Sequence, residues 1–180
     1  MDMSELNSYV DTKMYDLRQS AMTRRCHTVP TIGHQTVGEH SFHVAMLVLE
    51  ITGGQPSMNL MKAALYHDLA ETSTGDVPAN TKWRSPLLKQ KLEIMEEAFN
   101  RRHGLLVDLT KDEQQLLKWA DSLELGFYCI DQLMYGNKHV IDMYDNIVGF
   151  LRTLPCPIDY EQVVCNIFDR LENQYVYATR

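Results

Sequence analysis

The spacing of apolar residues is the feature that most constrains the fold of this chain. Apolar positions recur every three or four residues along most of the sequence, and no stretch alternates at period two for long enough to suggest a sheet. Helix starts are marked as well, because Thr36 and Glu39, and again Thr110 and Glu113, stand three residues apart as capping boxes. The pattern therefore predicts an all-α protein, a helical bundle.

The length of 180 residues favours one domain, and we see no internal repeat or linker that would divide residues 1–180. We expect an irregular loop over residues 24–35, where Pro30 and Gly33 interrupt the helical pattern, and a polar loop over residues 75–83. Between these loops and the caps, the pattern predicts seven helices, over residues 4–23, 36–52, 57–72, 85–103, 110–135, 140–153 and 160–172.

The charge balance excludes some classes of partner. The chain has 17 Lys and Arg against 24 Asp and Glu, a net charge of −7, which argues against binding nucleic-acid phosphates. Residues 1–11 lack a basic and then apolar signal segment, and the longest apolar run, residues 44–49, is far below the roughly 20 residues of a membrane helix. We therefore expect a cytoplasmic protein with neither nucleic acid nor membrane as its partner.

The predicted helix over residues 57–72 carries polar residues where a core helix should be apolar. His67, Asp68 and Glu71 stand among apolar neighbours, and burying them together is costly unless something compensates them. A divalent cation compensates them well, since neutral imidazole and carboxylate are both metal ligands. One His-Asp pair is weak support alone, because such pairs also occur at surfaces and in salt bridges.

Two further residues strengthen the metal interpretation. His40 lies one turn into the second predicted helix, and Asp121 lies in the middle of the helix that begins at Thr110, in both cases among mostly apolar residues. Three helices could therefore each bring one or two nitrogen or oxygen ligands to a common point, as metal sites in helical bundles do.

The order of these residues resembles that of a known family. His40, then the pair His67-Asp68, then Asp121 reproduce the H…HD…D pattern of the HD-domain metal-dependent phosphohydrolases. Within them, the sequence is most similar to the small bacterial 5′-deoxynucleotidases and to phage dATP triphosphohydrolases, which clear dATP during 2-aminoadenine DNA synthesis. The similarity covers residues 25–121 and includes the turn Thr74-Gly75-Asp76-Val77-Pro78.

The resemblance implies a role for each matching residue. The metal ligands fall on His40, His67, Asp68 and Asp121. Catalytic roles fall on Glu71, the acid/base carboxylate, and on Asp76, which matches a residue near the sugar or phosphate.

Substrate binding is implied for Arg25, which matches an arginine that meets phosphate, and more loosely for Lys82 at the outer phosphates. Where the family commonly has tryptophan after that arginine, this chain has Cys26. With Cys26 at this substrate-binding position, selectivity for deoxyribose is expected either to be weaker or to come from a neighbour such as His27, Thr28 or Ile32.

Two nitrogen and two oxygen ligands suit one divalent transition metal (Mn, Fe, Co, Ni or Zn) better than magnesium, which would instead accompany the substrate phosphates. The resemblance favours hydrolysis of a small-molecule deoxynucleotide, with dATP converted to deoxyadenosine and triphosphate. A 5′-deoxynucleotidase acting on monophosphates is the alternative, and a non-catalytic nucleotide-sensing HD module is the rival from another class. Relatives often assemble, so we expect a homo-oligomer, a dimer or a hexamer.

Overall fold

The structure, a computed structural model, describes residues 3–155 and residue 169, with side chains described from residue 12 onward. Within these residues the chain forms seven α-helices and no strand, which confirms the all-α prediction. The predicted helix over residues 160–172 lies outside the described residues, apart from residue 169. The helices are α1 (Met3–Ser20), α2 (Val37–Ile51), α3 (Met58–Tyr66), α4 (Ala79–Arg84), α5 (Pro86–His103), α6 (Lys111–Met134) and α7 (Ile141–Leu151).

The helix starts follow the caps that the sequence predicts. Thr36 and Thr110 both form complete capping boxes, at the starts of α2 and α6. Ser57 caps α3 and Ser85 caps α5, each accepting a hydrogen bond from a backbone N–H three residues later. None of the helices in the described part of the chain combines the length and the apolar character needed to cross a membrane.

The third predicted helix is shorter than expected. We predicted one helix over residues 57–72, but α3 ends at Tyr66 and a 3-10 turn follows at Leu69–Ser73. Asp68 separates the two with φ −104° and ψ 1°, a backbone region that active-site residues often occupy. The helical spacing of apolar residues continues across this break, so the sequence pattern did not reveal it.

The prediction of a loop over residues 75–83 is also partly wrong, because α4 begins at Ala79, in the middle of this range. This helix has six residues, begins after Pro78 and contains no buried residue. A helix without a buried face shows no apolar periodicity, so the sequence pattern does not predict α4.

The core places α6 at the centre of the described bundle. One face of α6 packs against α7 through Trp119, Leu123 and Tyr144. Next to Trp119, Ala120 packs with residues of α2 and α3, including Val44 and Leu60. The ends of α2 and α3 therefore meet the middle of α6, which brings their polar residues to one point.

Candidate metal centre

Four side chains from three helical segments converge at that point. His40 lies in the first turn of α2, His67 and Asp68 follow the end of α3, and Asp121 lies on α6. His40 Nε2 is 3.2 Å from both His67 Nε2 and Asp121 Oδ1 and 3.6 Å from Asp68 Oδ2. One candidate ligand atom from each residue lies within 4.8 Å of the others. The structure thus brings together all four residues that the sequence pattern indicates.

The chemistry and orientation of these donors fit a divalent transition metal. Two imidazole nitrogens and two carboxylates form a mixed donor set of the kind that such metals prefer. His40 is completely buried, whereas His67, Asp68 and Asp121 keep 15%, 20% and 21% exposure, so the cluster is open on one side. His67 Nδ1 lies 3.0 Å from the carbonyl oxygen of Ala64, which leaves Nε2 directed to the cluster.

The charges of the cluster shift one another's pKa values. Burial on its own lowers the pKa of His67, but the Asp68 charge and the contact with Asp121 outweigh it and raise that pKa to about 9. Burial likewise opposes ionisation of both carboxylates, yet the neighbouring imidazoles, with Arg25 at Asp68, hold the pKa values of Asp68 and Asp121 below the usual range. The carboxylates are therefore ionised and available as ligands.

Arg25 reaches the edge of the cluster from the loop before α2. Its Nη1 contacts Asp68 Oδ2 and lies 4.0 Å from Glu71 Oε2, while its side chain is 9% exposed. The Nε atom of Arg25 is buried and has no hydrogen-bond partner among the described residues. One donor of this guanidinium is therefore left unsatisfied by the described residues.

Glu71 lies beside the cluster on the 3-10 turn after Asp68. Its side chain is buried, and its Oε2 atom finds no hydrogen-bond partner in the described part of the chain. Burial, reinforced by the charges of Asp68 and Asp76, raises the pKa of Glu71 to about 8. The carboxyl group therefore holds a proton near neutral pH, which suits a proton donor.

Asp76 and Cys26 contact each other, a relationship that the sequence did not suggest. Asp76 Oδ2 accepts a hydrogen bond from the backbone N–H of Cys26 at 2.6 Å. Cys26 has φ 53°, in the left-handed region that residues with a side chain rarely adopt. Asp76 thus fixes the loop directly after Arg25, in an unusual backbone conformation.

The other two expected substrate-binding residues, Thr28 and Lys82, make no described contact with the four clustered residues. Thr28 is exposed in the turn that follows Cys26. Lys82 is half-buried on α4, with Nζ 3.9 Å from Glu96 Oε1. Its positive charge opposes part of the upward shift in the pKa of Glu71. Lys82 is therefore electrostatically coupled to the site even though none of its described contacts is with the four clustered residues.

Glu124 also lies at this site, although the sequence pattern does not indicate it. It follows Asp121 by three residues on α6, is 3% exposed, and its Oε2 contacts His40 Nδ1. Its Oε1 accepts a hydrogen bond from Gln35 Nε2 at 2.7 Å and lies 3.3 Å from His43 Nδ1. The available signal was the i, i+3 spacing from Asp121, which places both carboxylates on one face of a helix.

The C-terminal part of α6 and the turn after it hold the loop that carries Arg25. Gln132 Oε1 accepts the backbone N–H of Ile32 at 2.8 Å, and Gln132 Nε2 donates to the carbonyl of Ile32 at 2.9 Å. Asn137 Nδ2 donates to the carbonyl of Pro30 at 2.9 Å. Two buried amides therefore anchor the loop at a distance from the clustered residues.

A cleft of about 660 Å³ lies between α2 and α6 on the other side of Glu124. None of the four clustered residues lines it. Its walls are formed by His34, Gln35, Glu39, His43, Met46, Leu47, Glu50, Glu124, Phe127, Tyr128 and Asp131.

Comparison with known proteins identifies the family. The profile described as "5′-deoxynucleotidase YfbR-like" matches residues 14–111, more than half of the chain. The chain belongs to the YfbR-like family. The 5′-deoxynucleotidase YfbR of Salmonella typhi is 28% identical over 127 residues, which cover 58% of this chain and 64% of the relative. The match therefore spans less than two thirds of that relative.

A second relative in the YfbR-like family aligns over a longer region. The 5′-deoxynucleotidase PBPRA2627 of Photobacterium profundum is 22% identical over 164 residues, covering 78% of this chain and 84% of the relative. Its alignment thus extends well beyond residues 14–111.

Solved structures share the fold of this YfbR-like chain. The cyanophage S-2L HD phosphohydrolase (DatZ), described as bound to dA and one catalytic Zn²⁺ ion, superposes with a TM-score of 0.70 at 22% identity, covering 89% of this chain and 96% of that one. An HD-domain phosphohydrolase from Listeria innocua gives 0.69 at 20% identity, covering 91% and 90%. At these identities the similarity establishes the HD-domain fold.

Proposed function

We propose that this protein is a metal-dependent phosphohydrolase that cleaves the 5′-phosphate ester of deoxynucleotides and releases the deoxynucleoside. The observation that carries the proposal is the convergence of His40, His67, Asp68 and Asp121 within 4.8 Å. The buried Glu71 carboxyl beside this cluster adds a group that can move a proton. The names of the curated relatives support the same reaction class.

His40, His67, Asp68 and Asp121 would hold the metal ion. A divalent metal bound there supplies Lewis acidity at a phosphoryl oxygen and makes coordinated water more acidic. The Zn²⁺ reported for the cyanophage relative supports a transition metal over magnesium in this role.

Arg25 would bind the scissile phosphate. A guanidinium presents several donors in one plane and so matches phosphate oxygens geometrically. Its Nε donor lacks a partner in the described chain, and its Nη1 already lies against Asp68. A phosphate bound by this guanidinium would then lie beside the clustered residues, because Nη1 contacts Asp68.

Glu71 would act as the general acid. Water attacks phosphorus, the bond from phosphorus to O5′ breaks, and the leaving alkoxide is strongly basic, so it needs a proton as it departs. In the metal-free protein, burial and the neighbouring carboxylates raise the pKa of Glu71 to about 8, so its carboxyl can carry a proton near neutral pH. Placed beside the cluster, it would donate that proton to O5′. The proton that the attacking water loses would then return Glu71 to its acid form.

The curated relatives favour deoxynucleoside monophosphates as substrates, with inorganic phosphate as the second product. Hydrolysis of dATP to deoxyadenosine and triphosphate is a second candidate. It is supported by the fold similarity to the cyanophage enzyme bound to dA and by Lys82, whose charge acts on the site and would suit outer phosphates. The homo-oligomer and the cytoplasmic location expected from the sequence stay predictions.

A panel of nucleotides tests the proposal. The purified protein would be incubated with each dNMP, dNTP and the matching ribonucleotides, with Mn²⁺, Co²⁺ or Zn²⁺, and deoxynucleoside, phosphate and triphosphate would be measured separately. Phosphate from dNMPs supports the first candidate, and intact triphosphate from dATP supports the second. No product from any nucleotide, with metal bound, would favour a sensing module instead.

His67→Ala is the matched control for this panel. The variant should lose bound metal and all turnover, because one of four clustered donors is gone, while circular dichroism shows the helices intact. Unchanged activity in this variant would overturn the assignment of the site.

A further inference from the structure

Glu124 is almost completely buried next to the cluster without belonging to it. Its side chain is 3% exposed, and it lies on the opposite side of the His40 ring from the other clustered atoms, since it contacts Nδ1 whereas they surround Nε2. A buried carboxylate is costly unless its oxygens are hydrogen-bonded, so its contacts should explain its presence.

The contact with His40 has a chemical consequence for the ring. A neutral imidazole carries its proton on one nitrogen and its lone pair on the other, and only the lone pair can bind a metal. Glu124 is an acceptor at Nδ1, so it favours the tautomer in which Nδ1 carries the proton. His40 Nε2, which lies 3.2 Å from Asp121 Oδ1, is then the nitrogen with the lone pair.

The second oxygen of Glu124 is held from the other side. Gln35 Nε2 donates to Oε1 at 2.7 Å, and His43 Nδ1 lies 3.3 Å from the same atom. The backbone carbonyl oxygen of Gln35 also accepts a hydrogen bond from the backbone N–H of Arg25, at 2.9 Å. The carboxylate is therefore fixed in place by the same residue that fixes the backbone of the arginine.

From these contacts we propose that Glu124 is a positioning residue that sets the tautomer and orientation of His40 and thereby the affinity of the site for its metal. The proposal rests on the metal site of the proposed function and adds to it a residue outside the four ligands. Carboxylates that orient a metal-binding histidine typically change metal affinity or activity by about 10- to 100-fold when they are removed.

Metal affinity of two variants tests the proposal. Glu124→Gln retains an acceptor for His40 Nδ1 but loses the charge, and Glu124→Leu loses both. We expect the dissociation constant for Co²⁺, measured by competition with a chromophoric chelator, to rise about 10-fold or more in Glu124→Gln and further in Glu124→Leu. The visible absorption spectrum of bound Co²⁺ should shift in both, because the orientation of one ligand changes.

Glu93→Gln is the matched control, since it makes the same chemical change at an exposed position on α5. Its Co²⁺ affinity and spectrum should equal those of the unmodified protein. If Glu124 served only packing, the variants would lower the melting temperature and leave the affinity and spectrum unchanged, and this result would overturn the proposal. Should Glu124→Leu not fold, Glu124→Gln alone decides between these outcomes.

These measurements do not depend on turnover. If the nucleotide panel gave no product but Glu124→Gln weakened Co²⁺ binding, the proposed reaction would fail and the role of Glu124 would stand. If the nucleotide panel gave product but Glu124→Gln bound Co²⁺ as tightly as the unmodified protein, the proposed reaction would stand and the role of Glu124 would fail.

Discussion

Arg25 and Asp68 form a buried ion pair through an oxygen that the metal cluster also uses. Nη1 of Arg25 contacts Oδ2 of Asp68, and this same Oδ2 lies 3.4 Å from His67 Nε2. The side chains are 9% and 20% exposed. The guanidinium thus compensates, in the absence of metal, a charge that a metal would also compensate.

Arg25→Gln should therefore destabilise the metal-free protein more than the metal-loaded protein. Removing one partner of a buried ion pair costs about 3–5 kcal/mol when the other charge is left without compensation. His67 still compensates part of the Asp68 charge, so we expect a loss below that range. In the loaded protein the metal supplies that compensation, and the loss should be smaller. Urea unfolding with EDTA and with Mn²⁺ measures both losses.

Arg101→Gln is the control for this comparison. Arg101 pairs with Glu97 across one turn of α5, and both side chains are exposed, so its removal should cost about 1 kcal/mol or less in either form. Equal destabilisation of the two forms by Arg25→Gln would show that the arginine does not share the charge of Asp68 with the metal.

Glu71→Gln should remove catalysis and leave metal binding intact. Glutamine keeps the size and polarity of the side chain but cannot release the proton that the leaving O5′ needs. General acid catalysis typically contributes about 10²- to 10⁴-fold, and we expect kcat to fall by that factor with the metal content unchanged. Steady-state kinetics with the best nucleotide of the panel and elemental analysis give the two readouts.

Glu93→Gln, on the exposed face of α5, provides the control with the same chemical change. It should match the unmodified enzyme in both readouts. Loss of metal together with activity in Glu71→Gln would instead make Glu71 a ligand.

The parts of this site that the sequence predicts are those that follow local rules. The caps Thr36 and Thr110 set the starts of α2 and α6, and these starts fix where His40 and Asp121 lie along their helices. The H…HD…D order then indicates which side chains meet. Both signals involve residues near one another in sequence or a motif of recognisable spacing.

The parts that the sequence does not predict depend on contacts between distant segments. Glu124 meets Gln35 across 89 positions, and Gln132 meets Ile32 across 100, so neither pairing leaves a local pattern. The left-handed backbone at Cys26 is held by Asp76, 50 positions away. Tertiary contacts, rather than helical periodicity, determine how the loop before α2 is held.

The raised pKa of Glu71 predicts a pH dependence of stability in the metal-free protein. Its pKa rises from 4.5 to about 8 on folding, so between these values the native state holds a proton that the unfolded state has lost. The contribution of Glu71 to the free energy of unfolding is fully present below about pH 4.5 and is lost as pH rises to about 8. Over this range the free energy of unfolding falls by at most about 1.4 kcal/mol per pH unit.

The comparison with Glu71→Gln isolates this contribution from those of the other ionisable groups. The difference in unfolding free energy between the unmodified protein and the variant should fall steadily from pH 5 to pH 8 in EDTA. A difference that stays constant over this range would mean that the Glu71 carboxyl ionises normally in the fold.

Gln132→Leu should weaken substrate binding without affecting the metal. The variant keeps the volume of the side chain but leaves the N–H and carbonyl of Ile32 without their partner, which costs about 1–3 kcal/mol for a buried group. The loop that carries Arg25 then becomes less ordered, so we expect KM to rise about tenfold, with kcat within about threefold. Co²⁺ affinity should not change, because Gln132 contacts none of the four clustered residues. Gln115→Leu, an exposed position on the same helix, should leave KM unaltered. A fall in Co²⁺ affinity in Gln132→Leu, or an unchanged KM, would show that anchoring at Ile32 does not serve substrate binding.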